Sequence, residues 1–343
     1  SARVDQDAHC HGSLIRAYSS RGDHAGAAAA FENMERANVT PNLIAFTAVM
    51  NAFAKNGKSD EVVQYFDKMS SVGVKADGVS YNCVIDAFSK KGDVDGVLLW
   101  VKKRSEAGFA ADVTAFNSVL DVYSKLGNLE EVERWFEKAR QAGCADLANH
   151  NVVLHLHAKL GDSVAVTRCL NQMRRDRIKP DNVSFGGVLD GFARRGDVDA
   201  TYHWLERMET DFGVVPNTIS KNCVLHALAK KKDYESAIDF LQNMDRPDLW
   251  SFNAVLSACA ESDQPDLTNE IFESMSGVQI YPNIHSYNSL LYAHAQAGDH
   301  ETCSAILEKM KLVGIEPNDV SMRSAFGAFD GAKSNMSTRG VVL

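Results

Sequence analysis

In this 343-residue chain the side chains suited to chemistry are short amides and carboxylates, and they recur rather than cluster. Asn82, Asn117, Asn151, Asn222, Asn253 and Asn288 occupy one place in a pattern with a period near 35 residues. Each has a later counterpart at a second place: Asp112, Asp146, Asp181, Asp248, Asn283 and Asn318. Thr47 with Asp77, Gly12 with Asn42, and Gly186 with Asn217 fill the same two places elsewhere. An amide offers a donor and an acceptor, an ionised carboxylate acceptors alone, and a hydroxyl rotates to serve as either. Asparagine is a mediocre helix former, so six on one stripe need a reason. An unpaired nucleobase supplies one, because it takes a flat apolar contact plus donors and acceptors along its Watson–Crick edge. A ledge of Ile44, Val79, Val183, Ile219, Trp250 and Val320, with Thr114 in the same column, offers that contact.

A third column is cationic: Lys55, Lys90, Lys125, Lys159, Arg194 and Lys230 in six consecutive repeats. Such a lane suits the phosphates of a single strand. The last two repeats carry Glu261 and Gln296 there instead. Each column also has a plainer reading. Asp or Asn just ahead of a helix caps free N–H groups. Asn in a first turn can satisfy backbone groups. Lysines near a helix C-terminus complement its dipole.

Paired helices must position these columns. Within residues 43–77, Phe46, Val49, Met50 and Phe53 recur at helical spacing, Gly57 interrupts, and Val62, Val63, Phe66 and Met69 form a second stripe. Two short helices cannot bury both stripes alone, so they need neighbours. Those neighbours show in a second-helix column of Met34, Met69, Arg104, Ala139, Met173, Met208, Met244, Met275 and Met310. The inter-helix turn repeats as Gly22, Gly57, Gly92, Gly127, Gly161, Gly196 and Gly298, with Lys232 and Asp263 as exceptions. The expectation is an all-α chain, an α-solenoid of about nine helix-turn-helix repeats forming a right-handed superhelix. The repeats span 8–42, 43–77, 78–112, 113–146, 147–181, 182–217, 218–248, 249–283 and 284–318, with a partial tenth at 319–331. Counting from each repeat start, the amide column is position 5, the apolar ledge position 2, the cation position 13 and the acidic or amide counterpart position 35. The length changes in 182–217 and 218–248 are expected in the loop after the second helix. Residues 1–7 read as the tail of a preceding repeat and 332–343 as a loose tail.

Net charge is −9, which argues against a generally basic nucleic-acid binder and leaves the local cation column to answer the objection. Seven cysteines without a CxxC pair fit free thiols in a reducing compartment. No apolar run reaches membrane-spanning length, and no targeting segment is visible in a chain that opens on Ser1. His155 and His157 are two residues apart, which does not place both on one helical face for a metal. No P-loop, G-x-S-x-G stretch or deaminase zinc signature occurs. The expectation is a binder without catalytic residues, metal or cofactor, any catalytic domain lying outside these residues.

GVSYNCVIDAFSKKGD, VTAFNSVLDVYSKLGN and IHSYNSLLYAHAQAGD, with VGIEPN and DRIKPD at repeat ends, resemble the pentatricopeptide repeat family. That resemblance covers nearly the whole chain. It implies one RNA base per repeat, chosen by positions 5 and 35 and sandwiched by position 2 of successive repeats. In the family Asn with Asp favours U, Asn with Asn favours C, and Thr with Asp favours G. Carried onto these residues the target is 5′-nGUUUnUCC-3′, the Gly repeats leaving n. The resemblance further implies a mitochondrion or chloroplast and organellar mRNA or rRNA as partner, in processing, stability, editing or translation. A structural place in an organellar ribosome or similar ribonucleoprotein, touching RNA and ribosomal or other proteins, is the alternative. A tetratricopeptide-like peptide scaffold ranks behind, since the W-x-x-L-G-x-x-Y run is missing.

Overall fold

Helix follows helix along the chain because each repeat supplies a cap, an apolar stripe and a left-handed turn in that order. The computed structural model describes the backbone of residues 2–325 and the side chains of 10–325. Two compact units emerge, Ser1–Leu156 and His157–Leu343. In the first, the pairs are α1 (Ala2–Ser20) and α2 (His24–Arg36), α3 (Leu43–Ala54) and α4 (Ser59–Ser71), α5 (Gly78–Lys91) and α6 (Val94–Glu106), and α7 (Val113–Lys125) and α8 (Leu129–Gln141). The boundary falls within α9 (Leu147–Leu160). The second unit continues with α10 (Ser163–Arg175), then α11 (Asn182–Arg194) and α12 (Val198–Thr210), α13 (Thr218–Lys231) and α14 (Tyr234–Gln242), α15 (Leu249–Glu261) and α16 (Pro265–Gly277), and α17 (Ile284–Gln296) and α18 (His300–Leu312). Residues 319–325 are again helical. The chain is therefore all-α and a helical-repeat solenoid among the described residues.

Within each unit a first helix packs on its own second helix and on the first helix of the next repeat, as α3 does on α4 and α5, and α15 on α16 and α17. First helices thus form one layer and second helices the other. Between the layers lies the core. Phe46, Val49, Met50 and Phe53 are buried in α3, as are Val62, Phe66 and Met69 in α4, while Val63 is half-buried. All nine members of the methionine column are buried, Arg104 and Ala139 included. Full burial of one methionine contributes about 1.5–3 kcal/mol. Aromatic edges reinforce the stack, as Phe31 against Phe46 at 4.9 Å and Phe66 against Trp100 at 5.0 Å.

Two sequence expectations change. Residues 2–7, read as the tail of a preceding repeat, are helical and continuous with α1, since neither Gly nor Pro occurs among them to stop it. The shortening of repeat 218–248 falls in the second helix itself: α14 has 9 residues where α12 and α16 have 13. Asn243 ends it early, and Pro247, which has no N–H, excludes helix ahead of Asp248. The expected loose tail at 332–343 and residues 326–331 of the partial repeat lie outside the described residues.

The turn column explains its own glycines. Every one of those glycines has a positive φ, and the exceptions Lys232 and Asp263 are forced to 58° and 54°. A left-handed backbone costs an L-residue about 1–2 kcal/mol. Lys232→Gly should therefore raise stability by about 1 kcal/mol, read as a higher denaturation midpoint at unchanged m-value.

Candidate nucleic-acid interface

All nine residues at position 35 cap the next first helix. The side chains of Asn42, Asp77, Asp112, Asp146, Asp181, Asn217, Asp248, Asn283 and Asn318 accept from the backbone N–H three residues on, at 2.8–3.1 Å. The capping reading is thus realised throughout, and it constrains the side chain. One oxygen turns in to the helix. The other terminal atom, oxygen in Asp and nitrogen in Asn, is left for other partners.

Position 5 reaches the same group from the helix before. Asn82 Nδ2 donates to both oxygens of Asp112, at 3.0 and 3.2 Å. Asn222 Nδ2 donates to Asp248 at 3.0 Å, and Asn117 to Asp146 at 3.4 Å. Asn253 donates to Asn283 at 3.4 Å and Asn288 to Asn318 at 3.5 Å. Five sequence-expected pairs are therefore brought together. Thr47 is different. Its hydroxyl donates back to the Leu43 carbonyl at 2.8 Å, a bond available to threonine inside a helix. Gly12 and Gly186 face open space, since an added Cβ would meet nothing within 4 Å. Asn151 stands at the end of the first unit and Asp181 in the second.

Burial tends to raise the Asp248 carboxyl, but bonds from the Ser251 backbone N–H, the Asn222 amide, the Ser251 hydroxyl and the Trp250 N–H outweigh it and hold the pKa below the ordinary value. The group stays an ionised acceptor. Burial pushes the Cys223 thiol up to about 11, and the Cys83 thiol to about 12. Neither is a thiolate nucleophile at neutral pH. All seven cysteines are free. Among the described residues no group of three metal-ligating side chains forms, and no helix is long and apolar enough to cross a membrane.

Apolar position 2 points outward. Ile44, Val79, Val183, Ile219 and Val320 are more than half exposed and Trp250 is 76% exposed, against the rule for such side chains; Thr114 is exposed too. In the second unit these columns line one groove of about 1200 Å³, whose walls include Ile219, Asn222, Asp248, Trp250, Asn253 and Asn288. His226, Ser257 and Tyr292 at position 9 and His285 at position 2 also face it. Sequence reading passed over them because position 9 has no constant chemistry. Burial lowers the His226 pKa, so it sits there as a neutral ring rather than a cation.

The cation column is less free than its spacing implies. Lys90 pairs with Asp86 at 2.8 Å, Lys125 with Asp121 at 2.6 Å and Arg194 with Asp190 at 2.7 Å. Lys55 Nζ donates to the Ser19 carbonyl at 2.8 Å. Each acid lies four residues before its base, the spacing that favours such pairs on a helix. Exposed pairs of this kind contribute about 0–1 kcal/mol, little enough for a phosphate to displace.

Models of repeat families match from residue 8 to residue 329 with short gaps. The pentatricopeptide repeat domain matches 8–56, 241–294 and 271–329, the PPR repeat family 41–90, PPR repeat 79–103 and 114–144, and pentatricopeptide repeat-containing protein 150–253. A mitochondrial pentatricopeptide repeat-containing protein of Arabidopsis thaliana is 29% identical over 112 residues, 32% of this chain and 20% of that one. A chloroplastic one from the same plant is 28% identical over 123 residues, 36% of this chain and 14% of that one. The aligned stretches thus span a small part of these relatives' length. The crystal structure of PPR10 from maize superposes with a TM-score of 0.61 at 24% identity, covering 93% of this chain and 51% of that one. Yeast Rmd9p, solved with a 16-nucleotide target RNA, gives 0.56 at 13% identity over 98% and 87%. These likenesses agree on the fold.

Proposed function

We propose that this chain, which belongs to the pentatricopeptide repeat family, binds single-stranded RNA at about one nucleotide per repeat. The observation that carries the reading is the second-unit groove, where exposed Ile219, Trp250 and Val320 alternate with the paired polar side chains Asn222/Asp248, Asn253/Asn283 and Asn288/Asn318. The yeast neighbour in the fold is itself an RNA complex. Base choice follows from the cap. With one oxygen held by the helix, Asp offers an outward acceptor and Asn an outward donor. Uracil presents an N3–H donor and cytosine an N3 acceptor, so Asn/Asp repeats read U and Asn/Asn repeats read C. Thr47 with Asp77 reads G. Gly12 and Gly186 leave their bases unread or purine-leaning. The target is 5′-nGUUUnUCC-3′, in an organellar transcript of a mitochondrion or chloroplast. Position 2 of successive repeats sandwiches each base, with Trp250 as the broadest platform.

Phosphates replace Asp86, Asp121 and Asp190 beside Lys90, Lys125 and Arg194, draw Lys55 from the Ser19 carbonyl, and meet Lys159 and Lys230 directly. Six contacts give a slope of log affinity on log salt of about −4, from about −0.7 per phosphate on a single strand. Selection of randomised RNA on the purified chain tests the whole reading. The expected outcome is enrichment of GUUU followed, one base later, by UCC, with that salt slope. Enrichment of unrelated sequences, or a slope near zero, overturns it.

A further inference from the structure

We propose that the residue three places into each following repeat orients the base-reading amide of the repeat before it, and so acts as a positioning residue for specificity. The inference rests on the RNA-reading function above. Ser251, Ser286 and Ser321 are fully buried. Each hydroxyl accepts from the backbone N–H of the cap residue, Asp248, Asn283 or Asn318, at 3.0–3.2 Å. Each has one proton to give. The cap side-chain oxygen lies 3.0–3.2 Å away. The amide oxygen of Asn222, Asn253 or Asn288 is closer, at 2.6, 2.6 and 2.5 Å. The proton goes to the nearer oxygen.

That bond decides which way round the amide lies. Oδ1 faces the serine, so Nδ2 faces the cap residue. The remaining N–H and lone pair keep fixed places towards the groove. A flipped amide would set its N–H groups against the hydroxyl and its oxygen against the cap oxygen. The hold matters most where the amide-to-cap bond is long, as it is in both Asn/Asn repeats, at 3.4 and 3.5 Å, and between Asn117 and Asp146, at 3.4 Å. Other repeats solve the problem differently. Asn149 Nδ2 takes the serine's part towards Asn117 Oδ1. Ala115 stands at that place after Asn82, whose Oδ1 is buried without a hydrogen-bond partner, and Asp112 alone orients the amide through both its oxygens. After Thr47, the Ser80 hydroxyl serves the cap alone, at 2.8 Å from Asp77.

Ser80 therefore separates capping from positioning. The test compares wild type, Ser286→Ala, Ser286→Thr and Ser80→Ala on the RNA 5′-AGUUUAUCC-3′ and on versions with U at the eighth or A at the second base. Wild type should prefer C over U at the eighth base by about tenfold, the worth of one well-placed polar contact pair. Ser286→Ala should reduce that preference to about twofold or less, and Ser286→Thr, which keeps the hydroxyl, should restore it. Ser80→Ala removes the same kind of cap bond and should lower the melting temperature as Ser286→Ala does, yet leave the preference at the second base intact. A Ser286→Ala protein that binds RNA with wild-type preference at the eighth base overturns the positioning role alone. Wild type that shows no preference at either base overturns the RNA-reading function, and the positioning role with it.

Discussion

Changing Asn283 and Asn318 together to Asp should convert the last two bases read from CC to UU, with a reversal of preference of about a hundredfold or more. Both side chains cap a helix through one oxygen, at 3.1 and 3.0 Å, and Asp caps as well as Asn does. The fold therefore tolerates the exchange. What changes is the outward atom, from an N–H donor to a carboxylate acceptor, which matches uracil N3–H and opposes cytosine N3. Each well-placed contact pair discriminates by about 1–3 kcal/mol, and two separated sites add. Competition binding with labelled RNAs ending UCC and UUU checks this. An unchanged order of affinity would show that these side chains do not face the bases. The groove near them carries Glu261, so added negative charge should also weaken total affinity and flatten its salt dependence, because salt screens the new repulsion.

The same recoding at Asp112 should behave quite differently. Arg104 stands in the methionine column, buried, with its guanidinium 2.8 Å from Asp112 and further bonds to the Phe109 and Ala110 carbonyls. Room for it comes from Gly78, where a Cβ would lie 3.3 Å from the guanidinium. Asp112→Asn keeps a cap but leaves this buried cation without its anion. Breaking a buried pair costs about 3–5 kcal/mol, and because the Asp112 side chain is 46% exposed, about 2–3 kcal/mol is expected here. Asp146→Asn should cost far less, since Ala139 fills the arginine's place in that repeat. Adding Arg104→Met to Asp112→Asn should recover most of the loss, because a hydrophobic side chain of similar length suits the core. Urea denaturation of these proteins, with Arg104→Met alone to close the cycle, measures the coupling. Equal loss at Asp112 and Asp146, or no recovery with methionine, would show that the ion pair contributes nothing.

The repeat period, the helix pairs and the buried methionine column are all legible in the residues, because burial imposes a strict spacing. Position 35 is legible as a column but not as a single role. The cap and the proposed base-reading group are the same side chain, and in that proposal its two terminal atoms divide the tasks. Charge at position 13 is legible while its neutralisation is missed, although Asp86, Asp121 and Asp190 stand in plain view one helical turn earlier. Ser251, Ser286 and Ser321 escape the sequence reading, since a serine in a first helical turn looks unremarkable and only distances reveal the bond each makes to the preceding amide. The early end of α14 is hidden because Met244 still falls in its column and is still buried after the helix has ended.

The shared use of the cap sets a limit on what such an array can be taught to recognise. A side chain at that junction must start a helix whatever else it contacts, so the permitted alphabet is Asp, Asn, Ser, Thr and little else. Long donors such as Arg or Gln, useful elsewhere for nucleobase contacts, are shut out by the scaffold itself. Engineers seeking new letters would do better at the preceding amide column, where Gly12 and Gly186 leave space unclaimed by any neighbour within 4 Å.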